Sequence, residues 1–368
     1  MTVGDSRIDL PSLILARARN EVTMFACSSG AIDQRTDCHC NTAMDVLSEV
    51  LRAVRLDGAI FFNAEFSAPW LLLSPEARSL KQFLAPGAEH LIIYHLLTDG
   101  HAFAQVDGDH HVLLEAGDII VFPHGDQHKM GNGYTTQIID GRHAFPTILS
   151  QDMKITKLGG GGDVTRFVCG YMSCNADLCK QLLECLPSVF KVNVRSDDLG
   201  RWLENSVRNS VLQAASDSAG SDAVLAKLSE VLFIEVLRRY VESLPAGHKG
   251  WLGGVRDPIV GRALSLMHSR SADDWTIAML AQDSGVSRSV LAERFTHYLG
   301  EPPMSYLTRW RMRLGAQMLN STSRSVLDIA TEVGYKSEAA FNRAFRREFG
   351  LPPARYRSRS RAKAGTAA

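Results

Sequence analysis

Over its last third the 368-residue chain spells one pattern twice. Leu280-Ala281, Gly285, Phe295, Gly300, Pro302-Pro303 and Tyr306 recur as Ile329-Ala330, Gly334, Phe345, Gly350, Pro352-Pro353 and Tyr356. The offset is 49 residues up to the central glycine and 50 beyond it, so one residue is inserted just past the turn. A repeat this regular marks a duplicated unit. Each copy reads as a short helix, a glycine turn and a second, amphipathic helix, the layout of a helix-turn-helix. The helices are expected at 276–284 and 287–298, then at 326–333 and 337–349, with 303–319 as one long helix between the units. Val290, Leu291 and Phe295 are expected to form the buried face of one second helix, and Ala340, Phe341, Ala344 and Phe345 that of the other.

Charge supports a nucleic-acid partner for this segment. The chain carries 40 Lys+Arg against 40 Asp+Glu, yet residues 1–255 hold 22 basic and 30 acidic side chains while 256–368 hold 18 and 10. Such asymmetry suits an acidic regulatory or catalytic part joined to a part that neutralises phosphates. With 45% hydrophobic and 22% charged residues, the composition is that of an ordered globular chain. No apolar run reaches the roughly 18 residues of a membrane helix, and Asp5 and Asp9 stand where a secretory signal would be basic. The protein is therefore read as cytoplasmic. Its seven cysteines, odd in number and irregularly spaced, read as thiols in a reducing compartment.

Residues 1–43 lack periodicity and hold Cys38-His39-Cys40. They are read as an extension, flexible or added by a misplaced start codon. The compact fold is expected to begin near Met44, where Val46, Leu47, Val50, Leu51 and Val54 share a helical face. Short apolar runs at 59–66, 90–97, 101–106, 110–114 and 118–122 predict an antiparallel barrel or sandwich, with Asp107-Gly108 as a hairpin turn. Helices follow at 176–186, 199–216 and 223–244. The third carries the stripe Leu225, Leu228, Val231, Leu232, Glu235 and Val236, apolar but for the glutamate and fit to pack on the barrel or on a second protomer. Pro245 to Gly254 reads as a linker. The fold class is multidomain α+β: an extension (1–43), a β-barrel (44–165), a helical connector (166–250) and an all-α tandem helix-turn-helix (256–360).

Early, outward residues of a second helix reach base edges in the major groove. In the first unit these are Arg288, Ser289, Ala292 and Glu293, and in the second Glu338, Ala339, Asn342 and Arg343. Asn suits adenine and Arg suits guanine, each through paired hydrogen bonds. Arg346, Arg347 and the capping Ser337 are assigned to phosphates, which give affinity with little sequence information.

The array Gly-Val-Ser-x-Ser-x-Leu at 285–291, the run Tyr306-Leu307-Thr308-Arg309-Trp310-Arg311-Met312, the stretch from Ile329-Ala330 through Gly334-Tyr335, Ser337-Glu338 and Ala340-Phe341 to Arg343-Ala344-Phe345, and the closing Pro352-Pro353-x-x-Tyr356-Arg357 resemble the AraC/XylS family of bacterial transcription regulators. The resemblance covers roughly 256–358. It implies a sequence-specific protein that binds double-stranded promoter DNA and activates or represses transcription through contact with RNA polymerase.

Upstream, Gly117-Asp118, Pro123-x-Gly125-x-x-His128 and Asn132 resemble the second motif of the cupin barrel, with Ala116 where that family has proline. With Tyr94-His95, Cys169-Gly170 and Leu182-Leu183, the segment looks like the cupin domain fused to a subgroup of AraC-type regulators. Many cupin enzymes hold a metal with a His-x-His pair, a glutamate and the histidine matching His128. This barrel has no His-x-His, and His90, His95, His101, His110 and His111 stand at other spacings. A rebuilt metal site from His128 with His95 or His101 is one reading. The other is that His128 hydrogen-bonds a loop backbone or lines a metal-free effector pocket, for which the same three histidines are the candidates.

Cys169, Cys174, Cys179 and Cys185 fall where barrel gives way to helices. Their spacings match no common zinc pattern, and three readings stand: small buried hydrophobes, a thiol sensor of oxidants, or soft-metal capture. The resulting expectation is a DNA-binding regulator controlled by a small-molecule or oxidant signal, with a second copy of the chain as a candidate partner, no catalytic residues and no assured cofactor. A cupin-type metal enzyme, or a small-molecule-binding protein with a helical interaction module, is the alternative.

Overall fold

The run 90–97 explains why this chain must be layered. Both its odd and its even residues are apolar or aromatic apart from His90 and His95, so both faces of the strand need cover. The computed structural model describes residues 46–51, 56–106, 111–149, 153–216 and 218–365, and in it this run is the buried centre of β3 (His90–Asp99). Leu91, Ile93 and Leu97 join a cluster with Phe66, Trp70, Phe122 and Phe167. Ile92, Tyr94 and Leu96 face the opposite way, into a cluster with the helical residues Leu232 and Phe233.

After α1 (46–51) come β1 (Asp57–Ser67), β2 (Trp70–Ser74), α2 (Ala77–Leu84) and β3. Next are β4 (His101–Val106), β5 (Val112–Glu115), β6 (Asp118–Phe122), β7 (His128–Asn132), β8 (Ile139–Asp140) and α3 (Gly141–Leu149). Then follow β9 (Thr156–Gly159), β10 (Val164–Cys174), α4 (Ala176–Glu184) and β11 (Phe190–Asn193). One sheet has the order β11-β6-β3-β10-β1-β9 and the other β5-β4-β7-β2-β8, with an aromatic core between them. Pairing is antiparallel except for β1 with β9 and β2 with β8, which are parallel. The extension, Cys38-His39-Cys40 and the Asp107-Gly108 turn lie outside the described residues.

Helices α5 (Asp198–Ala214) and α6 (Ser221–Ser243) pack together, and α6 lies on the outer face of the larger sheet. Small side chains permit the close approach: a Cβ at Gly170 would fall 2.1 Å from the Tyr94 hydroxyl. That hydroxyl reaches α6 instead, 2.5 Å from Ser229 Oγ.

The stretch expected as a linker contains a buried helix, α7 (Trp251–Arg256), with Trp251 and Leu252 in the same apolar cluster as α6 and the helices that follow. Its glycines allow contact rather than freedom, since a Cβ at Gly254 would meet Leu299 Cδ1 at 2.8 Å. The DNA-binding part continues with α8 (Pro258–Ser269), α9 (Ile277–Asp283), α10 (Arg288–Leu299), α11 (Pro303–Ser321), α12 (Val326–Glu332), α13 (Glu338–Phe349) and α14 (Pro353–Gly365). Two apolar clusters serve it. Tyr306, Leu307 and Trp310 of α11 join the first, and Met312, Ala316 and Leu319 join the second.

Candidate nucleic-acid interface and sensor site

Each second helix starts at a serine whose hydroxyl satisfies a free N–H of the first turn. Ser287 Oγ accepts from the Val290 amide and Ser337 Oγ from the Ala340 amide, both at 3.3 Å. Before them stand Gly285 (φ +71°) and Gly334 (φ +84°), in the left-handed region that favours glycine. At Gly334 a Cβ would also lie 2.5 Å from the Ala272 carbonyl, so the second turn abuts the loop that precedes α9.

Arg288, Ser289 and Glu293 on α10, and Glu338, Ala339 and Arg343 on α13, are exposed, while Ala292 and Asn342 are half-buried. Asn342 Nδ2 lies 3.4 Å from Glu338 Oε1. Ser337, Arg346 and Arg347 are exposed as well. Leu291, Phe295, Phe341 and Phe345 are fully buried beneath. Val290 differs from expectation: it is 43% exposed, because the Leu291/Phe295 spacing sets the buried stripe and residue 290 lies about 100° off it. Ala340 is likewise only half-buried.

The cations separate into two sets. Arg294 holds Asp257 at 2.6 Å, and Asp257 in turn caps α8 by accepting from Ile259 and Val260 amides. Arg311 donates to the carbonyls of Ser271 and Asp273, and Arg357 to those of Leu319 and Arg324. These three are committed to the frame. Among the described residues Arg288, Arg343, Arg346 and Arg347 form no salt bridge, and they stand on the second helices with their charge available to phosphate or base.

The frame itself centres on Tyr306. Its hydroxyl accepts from Trp251 Nε1 at 3.0 Å and donates to His268 Nε2 at 2.7 Å, tying α7 and α8 to α11. Burial drives the His268 pKa down to about 3, so the ring is neutral and its Nε2 can accept. Sequence reading passed over this trio, whose members are 55 and 38 residues apart in sequence from Tyr306.

In the barrel, strand parity settles where the histidines go. His95 shares the inward face of β3 with Ile93 and Leu97, and the pairing of β3 with β10 sets it opposite Cys169. His95 Nδ1 lies 2.7 Å from Cys169 Sγ and its Nε2 lies 3.0 Å from His128 Nε2. His128 Nδ1 is 2.9 Å from the Asp126 carbonyl, which only accepts, so the hydrogen is on Nδ1. The order of donors then follows: Cys169 S–H to His95, His95 Nε2–H to His128, His128 Nδ1–H to Asp126. Burial holds both rings neutral, with His128 lowered to about 4 and His95 well below its ordinary value. His101 is elsewhere, exposed at the start of β4. Cys169 and His128 approach opposite edges of the His95 ring, so these three do not converge on a point that a metal ion would occupy. Among the described residues no group of three or more His, Cys, Asp or Glu side chains is placed to hold one.

Parity also parts the cysteines. Cys174 points to the helical side and contacts Cys179 of α4, while Cys169 faces the barrel interior. Cys185, past the end of α4, receives the backbone N–H groups of Trp251 and Leu252 at the junction with the DNA-binding part. Burial raises the Cys169 and Cys185 pKa values, and the neighbouring Cys174 thiol raises that of Cys179. Thiols so held are poor nucleophiles. Beside them, α4 touches α7 and α11, and Arg313 of α11 is buried within electrostatic reach of Glu184 and Glu348.

Residues 45–242 match the cupin family and residues 280–359 match a helix-turn-helix domain family. The chain is similar to a putative AraC-like transcription regulator of Streptomyces lividans, 32% identical over 319 residues, which cover 85% of this chain and 98% of the relative. A putative AraC-like regulator of Streptomyces antibioticus is 30% identical over 317 residues, with coverage of 85% and 98%. The HTH-type transcriptional regulator AlkR of Acinetobacter baylyi is 28% identical over 320 residues, with coverage of 86% and 100%.

The neutral, buried His128 makes stability depend on pH. Folded, it titrates near 4 against an ordinary value of 6.5, so unfolding takes up a proton between those limits. Its contribution is present above pH 6.5 and is lost as pH falls toward 4, at about 1.4 kcal/mol per pH unit. His128→Gln keeps an acceptor for His95 and should flatten the plot of urea-unfolding free energy against pH by about one proton between pH 4.5 and 6. An unchanged slope would place His128 in contact with solvent.

Proposed function

Because the chain belongs to the AraC-like family of DNA-binding transcription regulators, we propose that its two helix-turn-helix units read one long, asymmetric promoter site. The observation that carries this reading is the pair of capped, outward-facing second helices whose arginines are left unspent by the frame. Arg288 and Arg343 are assigned to guanine edges, Asn342 to adenine, and Arg346 and Arg347 to phosphates. A rigid α11 would set α10 and α13 in successive major grooves, about 34 Å apart. The output runs through RNA polymerase at that promoter.

The sensing part is the barrel with α4–α6. The raised pKa values of the Cys169, Cys179 and Cys185 thiols favour a small-molecule signal over an oxidant. The signal reaches DNA through α4, which touches both α7 and α11. The relatives named above are transcription regulators, and the paired neutral histidines with no metal-like convergence give no support to a metal-dependent enzyme.

The outer faces of α5 and α6 supply the second partner, another copy of this chain. Leu199, Trp202 and Leu212 on α5 are 50%, 59% and 59% exposed, and Val224, Val231 and Ile234 on α6 are 49%, 46% and 41% exposed. Apolar side chains recurring on the solvent faces of paired helices are characteristic of an association surface. In sedimentation velocity the chain should run as a dimer and the Trp202→Glu, Val231→Glu double variant as a monomer. A wild-type monomer at micromolar concentration would end this assignment.

Base and phosphate roles separate experimentally. Arg343→Ala should relax preference at one base pair at a cost of about 1–3 kcal/mol. Arg346→Ala should weaken binding to all sequences and lower the slope of log K against log salt by about 1. Binding isotherms on a base-substituted promoter series at several salt concentrations measure both. If neither substitution alters binding, α13 is not a recognition helix.

A further inference from the structure

We propose a binding site for an apolar ammonium compound, an aryl- or alkylamine, in the cleft between the larger sheet and the α5–α6 corner. This site is separate from the barrel interior, which Phe122, Phe167 and the two histidines fill. The cavity measures about 840 Å³, within the range of pockets that enclose small ligands. Apolar side chains form one part of its wall, Ile60 from β1, Phe83 and Leu84 from α2, Tyr171 from β10 and Leu225 from α6, while the part at the α5–α6 turn is polar. Phe83 is 54% exposed, an aromatic ring with one face left to the opening. The Tyr171 hydroxyl is already used, donating to the Leu84 carbonyl at 2.5 Å, so this residue offers its ring.

The polar end is formed by the start of α6, where Ser221 and Asp222 line the cleft. Two opposing charges act there. The helix N-terminus amounts to about half a positive charge. Asp222 brings a full negative charge, and Asp57 adds another within electrostatic reach of Tyr171. The nearby Lys227 is bound to Glu230 at 2.8 Å, which cancels its charge locally. Negative charge prevails, and the aromatic rings of Phe83 and Tyr171 also favour a cation. The ligand that fits has an apolar body for the wall and an ammonium group for Asp222.

The role of this cleft as the effector site rests on the sensor reading above; the binding itself does not. Titration calorimetry with 4-phenylbutylamine and with 4-phenylbutyrate compares one body with two opposite heads. The amine should bind saturably with one site per chain, and the acid at least about tenfold more weakly, as loss of a charged hydrogen bond implies. Asp222→Asn should weaken the amine by about tenfold or more, and Ala223→Trp should abolish binding by filling the mouth. Both positions are exposed, so these variants should keep the wild-type urea midpoint. Equal binding of the acid, no saturable heat with the amine, or full affinity in Ala223→Trp would overturn the site. Amine binding that leaves promoter affinity unchanged would uphold the site and count against the sensor reading.

Discussion

The hydroxyl of Tyr306 is the point on which the regulatory half of this molecule depends. One donor, Trp251 Nε1, comes from the helix that continues the apolar cluster of α6, and one acceptor, His268 Nε2, comes from the first helix of the DNA-binding part. Both bonds are buried, where an unpaired partner costs about 1–3 kcal/mol. The hydroxyl therefore holds α7, α8 and α11 in one arrangement. Since α11 also packs beneath α12 and α13, that arrangement extends to the second recognition helix.

Strand parity plays the same organising role in the barrel. Because β3 is buried on both faces, each of its residues belongs to the barrel interior or to the helical layer. His95 goes inward and meets Cys169 and His128. Tyr94 goes outward and meets Ser229 on α6. Neighbouring residues of one strand thus serve a closed polar relay on one side and a sheet-to-helix joint on the other.

The repeat made the DNA-binding part legible: Gly285 and Gly334, Ser287 and Ser337, and the Leu291/Phe295 and Phe341/Phe345 pairs each take the predicted place. Val290 departs from the expected buried face because the 100° step from Leu291 turns it toward solvent, whatever its hydrophobicity. The glycines of 245–254 suggest a linker, yet Trp251 and Leu252 are buried there, and Gly254 serves close packing against Leu299. Cys169 was grouped with the other cysteines by sequence proximity, although its odd position on β10 sends it away from Cys174. The Tyr306 trio left no local pattern, because its three members are brought together only by tertiary packing.

On the proposed reading, one chain presents two recognition helices at a spacing fixed by α11. Hydroxyl-radical footprinting on the promoter, with and without about five base pairs inserted between the two contacted segments, tests it most directly. Two protected segments about one helical turn apart on one face of the duplex are expected, with loss of one of them on insertion. A single protected segment, or two that persist unchanged when separated by the added half turn, would contradict that reading.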